Sequence, residues 1–323
     1  MQIMDLGTGV VVLLWVFFWF YSVVDTRLVH FRQQPLFLFD RSFFLSFLNQ
    51  PGGVGKYLDL FFYQFNAWRG VGALVAVLLA AISIFLTHKL LVDFYPIRIV
   101  SVLHYIPVAL WLTFDAYNVD SIGLLNHYWI ALATVIAYRK TRKWPVVLER
   151  ILWLILAALL FYGWGGTVLL LFLLTVFAAE MNEQERKSIG ILPFLWIIPA
   201  AGFPWLASRF SYFMGFQEAI GGDFYPLEET RVAQWMLFLI PVVFVGFSSL
   251  FKAAWRKVFP SSQSSPAMGL ALSILIVAAT IITGFLTFQP EQKASVQFHY
   301  DARELKWDKV LEAGARQALN DRK

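Results

Sequence analysis

The sequence predicts an all-α protein, a polytopic bundle of about nine membrane-crossing helices. Three observations carry that expectation. Of the 323 residues, 59% are hydrophobic and only 15% are charged, against roughly 25% charged in soluble domains. Several apolar runs reach the ~20 residues that a helix needs to cross hydrocarbon. Lys and Arg cluster in alternate short loops between those runs, the pattern that orients a chain in a bilayer.

The expected spans are 6–24, 68–87, 98–114, 121–138, 146–163, 167–180, 190–208, 232–251 and 267–288. The first follows an N-terminus without Lys or Arg and lacks a small-residue cleavage site, so it is expected to be a retained span. Residues Gly163-Trp164-Gly165-Gly166 leave two readings open: a tight helical hairpin, or one broken span with a re-entrant half. Residues 1–288 then form a membrane domain and 289–323 a helical tail. Lys89, Arg98, the run 139–143, Arg186, Lys187, Lys252, Arg256 and Lys257 mark one side, while loops 115–120 and 163–166 carry no basic residue. The positive-inside rule places the basic side in the cytoplasm, with the N-terminus inside and the tail outside. A bacterial inner membrane is the expected location.

Composition also excludes functions. The net charge of +5 is spread over short loops with no basic stripe, so nucleic acid is not an expected partner. The absence of cysteine removes disulfides, thiolate metal sites and thiol catalysis. No P-loop, G-x-S-x-G, H-E-x-x-H or Gly-rich dinucleotide turn occurs, which argues against an ATP-driven pump and a soluble-type hydrolase.

The first outer segment, about 40–66, is apolar but charged at Asp40, Arg41, Lys56 and Asp59. Asp40 is a good N-cap, and Phe43, Phe44, Phe47 and Leu48 share a helical face opposite Ser42, Ser46 and Asn49. Pro51-Gly52-Gly53 ends that helix. In the next, Val54, Leu58, Phe61, Phe62 and Phe65 form a stripe, with Lys56, Asp59 and Gln64 away from it on an expected wet side. Two amphipathic helices folded back on each other in the membrane interface follow from this pattern. A span plus a loop is the alternative, at the cost of burying charges in hydrocarbon. The tail carries a further stripe of Trp307, Leu311, Ala315, Ala318 and Leu319, suited to docking on the membrane domain or on an envelope protein partner.

The segment from Phe37 to Phe65, with its spaced Phe, Pro-Gly-Gly and Gln-Phe, followed by Gly70 and Gly72, resembles domain-of-unknown-function family 6057. That resemblance implies a multi-span membrane protein of certain Gram-negative bacteria, with helical repeats after the last span, of which this tail would be the start. It implies no activity. The arrangement of a first outer loop with two interfacial helices, an acidic residue after span 1 and an acidic loop between spans 3 and 4 is similar to the GT-C class of membrane glycosyltransferases. This similarity is one of architecture, and it implies a lipid-linked, polyprenyl-phosphate type of donor.

Candidate chemistry gathers on the expected outer face. Asp25, at the end of span 1, is the candidate general base, its pKa expected to rise through partial desolvation. With Asp115 or Asp120 it could hold Mg²⁺ or Mn²⁺, which prefer oxygen ligands. The alternative is that Asp25 only pairs with Arg27. Arg209 and Arg231 bracket the long loop 209–231 and could clamp a phosphate, or else anchor span ends by snorkelling. His127 is expected to line a site below Asp25. Glu149 and Arg150 are expected to pair with each other. The functions left standing are a GT-C-like transferase, a non-enzymatic membrane scaffold or envelope-complex subunit, and, with few charges inside the bundle, a secondary transporter.

Overall fold

The computed structural model describes residues 3–32, 37–49, 51–95, 100, 103–113, 121–141, 144–182, 196–210, 237, 239–248 and isolated positions between 275 and 298. Among the described residues the regular structure is helical throughout. Ten helices are α1 (Ile3–Phe18), α2 (Thr26–Arg32), α3 (Arg41–Phe47), α4 (Gly53–Tyr63), α5 (Arg69–Leu91), α6 (Ile106–Thr113), α7 (Ser121–Thr141), α8 (Val146–Trp164), α9 (Gly166–Asn182) and α10 (Ile197–Phe210).

Among the described residues, three stretches are long and apolar enough to cross a membrane: Gly7–Val24, Arg69–Leu91 and Val147–Trp164. The 23 residues of α5 rise about 34 Å, enough for a ~30 Å hydrocarbon core. Helix α9 contributes a shorter apolar segment, Gly166–Met181. Helix α7, although 21 residues long, does not share this character. It carries Asn126 and His127 and lies in the interior, with Leu125, Tyr128, Ala131, Leu132, Val135 and Tyr138 buried. It packs against α4, α5 and α9, and Tyr128 Oη lies 3.1 Å from Thr87 Oγ1 of α5. Enclosure by neighbours on several sides lets a helix carry polar groups that lipid would reject.

Helix α1 continues into a π-helical turn, Trp19–Val24, and ends abruptly at Asp25, whose φ of 59° is left-handed. The short α2 that follows has no counterpart among the sequence expectations. The question at 163–166 is answered by a hairpin. Gly165 takes φ 87° between α8 and α9, and Arg150 of α8 meets Glu180 of α9 at 2.7 Å. These residues lie fifteen positions on either side of Gly165, so the two helices run antiparallel. Arg150 therefore pairs with Glu180 rather than with Glu149, because residues adjacent in a helix point in different directions.

Helices α3 and α4 form the expected hairpin. Asp40 caps α3, its Oδ2 accepting from Ser42 N at 2.9 Å and Phe43 N at 3.2 Å. Gly52 supplies the left-handed turn with φ 86°. Gly53 is equally constrained, since a Cβ there would lie 1.6 Å from the Phe47 carbonyl oxygen. Phe43, Phe44 and Phe47 surround the Tyr57 ring. One expectation is reversed. The Val54, Leu58, Phe61, Phe62 and Phe65 stripe remains partly exposed, whereas Gly55 and Tyr63 are buried, and Asp59 turns inward between them. Gly55, Asp59 and Tyr63 stand at i, i+4 and i+8, one helical face. That face packs on α7 and α8.

The helix ends sort into two groups. Asp25 with Arg69, Asp59 with Asn126, and Gly52 with Tyr162 meet at the hairpin end. Arg139 with Asp93, and Arg150 with Glu180, meet at the other.

Candidate functional site

The most distinctive polar group at the hairpin end is made of Asp59, Asn126 and His127. Asn126 Nδ2 donates to Asp59 Oδ1 at 2.6 Å. His127 Nε2 lies 3.5 Å from Asp59 Oδ2. The Asp59 side chain is 15% exposed and that of His127 6%, while Asn126 is fully buried. Two glycines allow the approach. A Cβ on Gly55 would lie 2.7 Å from His127 Nε2, and one on Gly123 would lie 2.8 Å from Asp59 Oδ2. Tyr63 closes the far side, its Oη accepting from Gly123 N at 3.5 Å. The hairpin is further tied down by Gly52 N donating to the Tyr162 carbonyl at 2.8 Å.

Burial pushes the Asp59 carboxyl up to about 7, with the Asn126 hydrogen bond and the Lys56 charge pulling in the opposite direction. A carboxyl near neutrality can both take and give a proton, which is what general acid–base chemistry requires. Two buried polar atoms, Asn126 Oδ1 next to Asp59 and Trp164 Nε1 on the Gly55 side, have no hydrogen-bond partner among the described residues. Trp164 Cδ1 would lie 3.2 Å from the same Cβ on Gly55 that would clash with His127. Buried groups of this kind ordinarily have partners.

Asp25 behaves otherwise than expected. Burial raises its pKa, but the hydrogen bonds and charge of Arg27, followed by the charge of Arg69, outweigh that and hold the carboxyl below its ordinary value. Arg27 Nε reaches Oδ1 at 3.0 Å and Nη2 reaches Oδ2 at 2.6 Å. The expectation of a raised pKa is therefore corrected, and the Arg27 pairing also left open by the sequence is the arrangement observed. The adjoining guanidiniums also oppose a cation at Asp25. His127 lines the Asp59 site rather than one below Asp25. Arg209, at the end of α10, has Cζ 5.9 Å from the Trp205 ring centroid. Asp115, Asp120 and Arg231 lie outside the described residues. His104 packs edge-on against His88, with ring centroids 5.1 Å apart. Among the described residues no three His, Cys, Asp or Glu side chains group as a metal site would.

The model of a family of unknown function (DUF6057) matches residues 1–322. The chain belongs to that family. No curated protein and no solved structure matches it. The DUF6057 match spans both the hairpin and the helices beneath it, so the Asp59 site falls wholly within the family's extent.

The sequence pattern placed Asp59 on the wet side of its helix, which left this site unassigned. A signal was present: glycine, carboxylate and tyrosine at i, i+4 and i+8 mark a face able to approach another helix closely.

Proposed function

We propose that this DUF6057 chain is a membrane-embedded transferase that acts on a lipid-linked donor at the hairpin end of the bundle, with Asp59 as general base. The observation that carries this is the half-buried Asp59 carboxyl, near neutral in pKa, held by Asn126 and set against His127. In the proposed step an acceptor hydroxyl loses its proton to Asp59 while its oxygen bonds to the transferred group. The lipid phosphate leaves with the electrons of the broken bond. Asn126 Oδ1 and Trp164 Nε1 are the groups suited to orient the acceptor, since each lacks a hydrogen-bond partner among the described residues. The reading retains the nine-span topology, the interfacial placement of the hairpin and the cytoplasmic basic side inferred from sequence. The exposed Leu38, Phe39 and Leu45 of the hairpin support contact with lipid.

A second reading has its own support. The close fits at Gly55 and Gly123 suit a structural latch that holds the hairpin on the bundle as a scaffold for envelope partners. Mass spectrometry of the organic extract from gently purified protein, wild type beside Asp59→Asn, separates the two. A co-purifying polyprenyl-phosphate or sugar-linked lipid whose amount or form changes with the substitution supports the transferase. Bulk phospholipid alone in both samples, with faster proteolysis of the hairpin in the variant, overturns it in favour of the latch.

A further inference from the structure

A second charged group occupies the hairpin end, where α1 finishes and α5 begins. Arg27, Asp25 and Arg69 bring two guanidiniums to one carboxylate. Both Asp25 oxygens are occupied by Arg27. Arg69 is held by other means. Its Nε donates to the Tyr21 carbonyl, its Cζ stands 4.5 Å from the Tyr21 ring centroid, and it comes no closer than 3.9 Å to Asp25. Its two terminal amino groups have no hydrogen-bond partner among the described residues. The side chains of Arg27 and Arg69 are 40% and 34% exposed.

The setting selects the ligand. One candidate membrane span ends at Val24 and another begins at Arg69, so these guanidiniums stand at the level where hydrocarbon gives way to head groups. Trp68 beside them is 63% exposed, and Phe18 and Tyr21 are also exposed, as expected of an aromatic belt at that depth. A guanidinium fork fixed by stacking and by a backbone carbonyl is preorganised for a planar pair of anionic oxygens. The Arg69 fork presents one guanidinium, which matches the paired oxygens of a singly charged phosphodiester better than a polyphosphate.

We propose that Arg27 and Arg69 form a phosphate-binding site that holds the phosphodiester of a lipid head group at the membrane surface. The site stands apart from the proton chemistry assigned to Asp59, and its occupancy is read without turnover.

The test is native mass spectrometry of the full chain in nonionic detergent, titrated with short-chain phosphatidylglycerol and, separately, with inorganic phosphate. Saturable retention of one phosphatidylglycerol per chain is expected. Arg69→Gln should weaken it by about tenfold or more, the scale of a lost charge-assisted hydrogen bond. Arg69→Lys, which keeps the charge but loses the fork, should fall in between. Arg139→Gln, at the opposite end of the bundle where Arg139 pairs with Asp93, should leave it unchanged. Inorganic phosphate binding as tightly as the lipid would support the phosphate site and assign its source to solution. No saturable binding of either probe to the wild type overturns the proposal, as does equal binding by a folded Arg69→Gln variant or equal loss on Arg139→Gln.

Discussion

Replacing Asp59 with Asn should change how stability depends on pH, with a sign set by burial. The folded-state pKa lies at about 7, against an ordinary carboxyl value of 3.8. Between those limits the unfolded chain has released the proton and the folded chain has kept it. The unfolded state therefore binds fewer protons, and stability falls as pH rises through this window. The full shift corresponds to roughly 4 kcal/mol, at about 1.4 kcal/mol per tenfold in proton affinity. Solvent at the open edge of the side chain reduces this to about 2–4 kcal/mol. Asn is nearly isosteric, can still hydrogen-bond to Asn126, and does not titrate. The assay is thermal melting in detergent, followed by tryptophan fluorescence from pH 4.5 to 8. The lower limit keeps Asp25 ionised throughout, because its pKa lies below the ordinary carboxyl value. The difference between the wild-type and Asp59→Asn curves should shift steadily in favour of the variant up to about pH 7 and then level off. Parallel curves would refute the reasoning, because they would mean that Asp59 ionises as freely in the folded protein as in the unfolded one.

Three further outcomes are expected. Gly55→Ala should destabilise by about 1–3 kcal/mol, the usual cost of overpacking, because its methyl would sit 2.7 Å from His127 Nε2; faster proteolysis within 37–63 would report the loosened hairpin. Arg150→Gln removes the partner of a buried carboxylate, since Glu180 also receives the Tyr138 hydroxyl; a loss of about 3–5 kcal/mol is expected, measurable by melting, with Glu180→Gln in the same background recovering part of it. Asp25→Asn should reduce the wild-type loss of stability seen by thermal melting on acidification, with Asp40, whose carboxyl is also held below its ordinary value, keeping its own share. A carboxyl with a depressed folded pKa contributes stability above its unfolded pKa and loses that contribution as pH falls through the folded one.

Much of the architecture was legible because it depends on local properties. The runs at Gly7–Val24, Arg69–Leu91 and Val147–Trp164 are apolar over a membrane's thickness whatever surrounds them. The Asp40 cap and the Pro51-Gly52-Gly53 turn are set by residues a few positions apart. The site was less legible, for two reasons. Asp59 and Asn126 are 67 positions apart, and no periodicity within either helix encodes their meeting. A helix-face pattern also assigns a carboxylate to water. In α4 the phenylalanines are only partly buried, with Phe62 packed at the edge of the core, while Gly55, Asp59 and Tyr63 form the face on α7 and α8, where close helix contact needs small residues.

By itself, then, the sequence determined the helical class, the apolar runs long enough to cross a membrane, the hairpin and its turn, because apolar length, capping and glycine geometry are properties of short segments. Only the tertiary structure decided that α8 and α9 fold back at Gly165, that Arg27 and Arg69 share Asp25, and that Asp59 lies against His127. The physical reason is that the burial, charge and hydrogen bonding of a side chain belong to its neighbours in space, and here those neighbours come from distant helices.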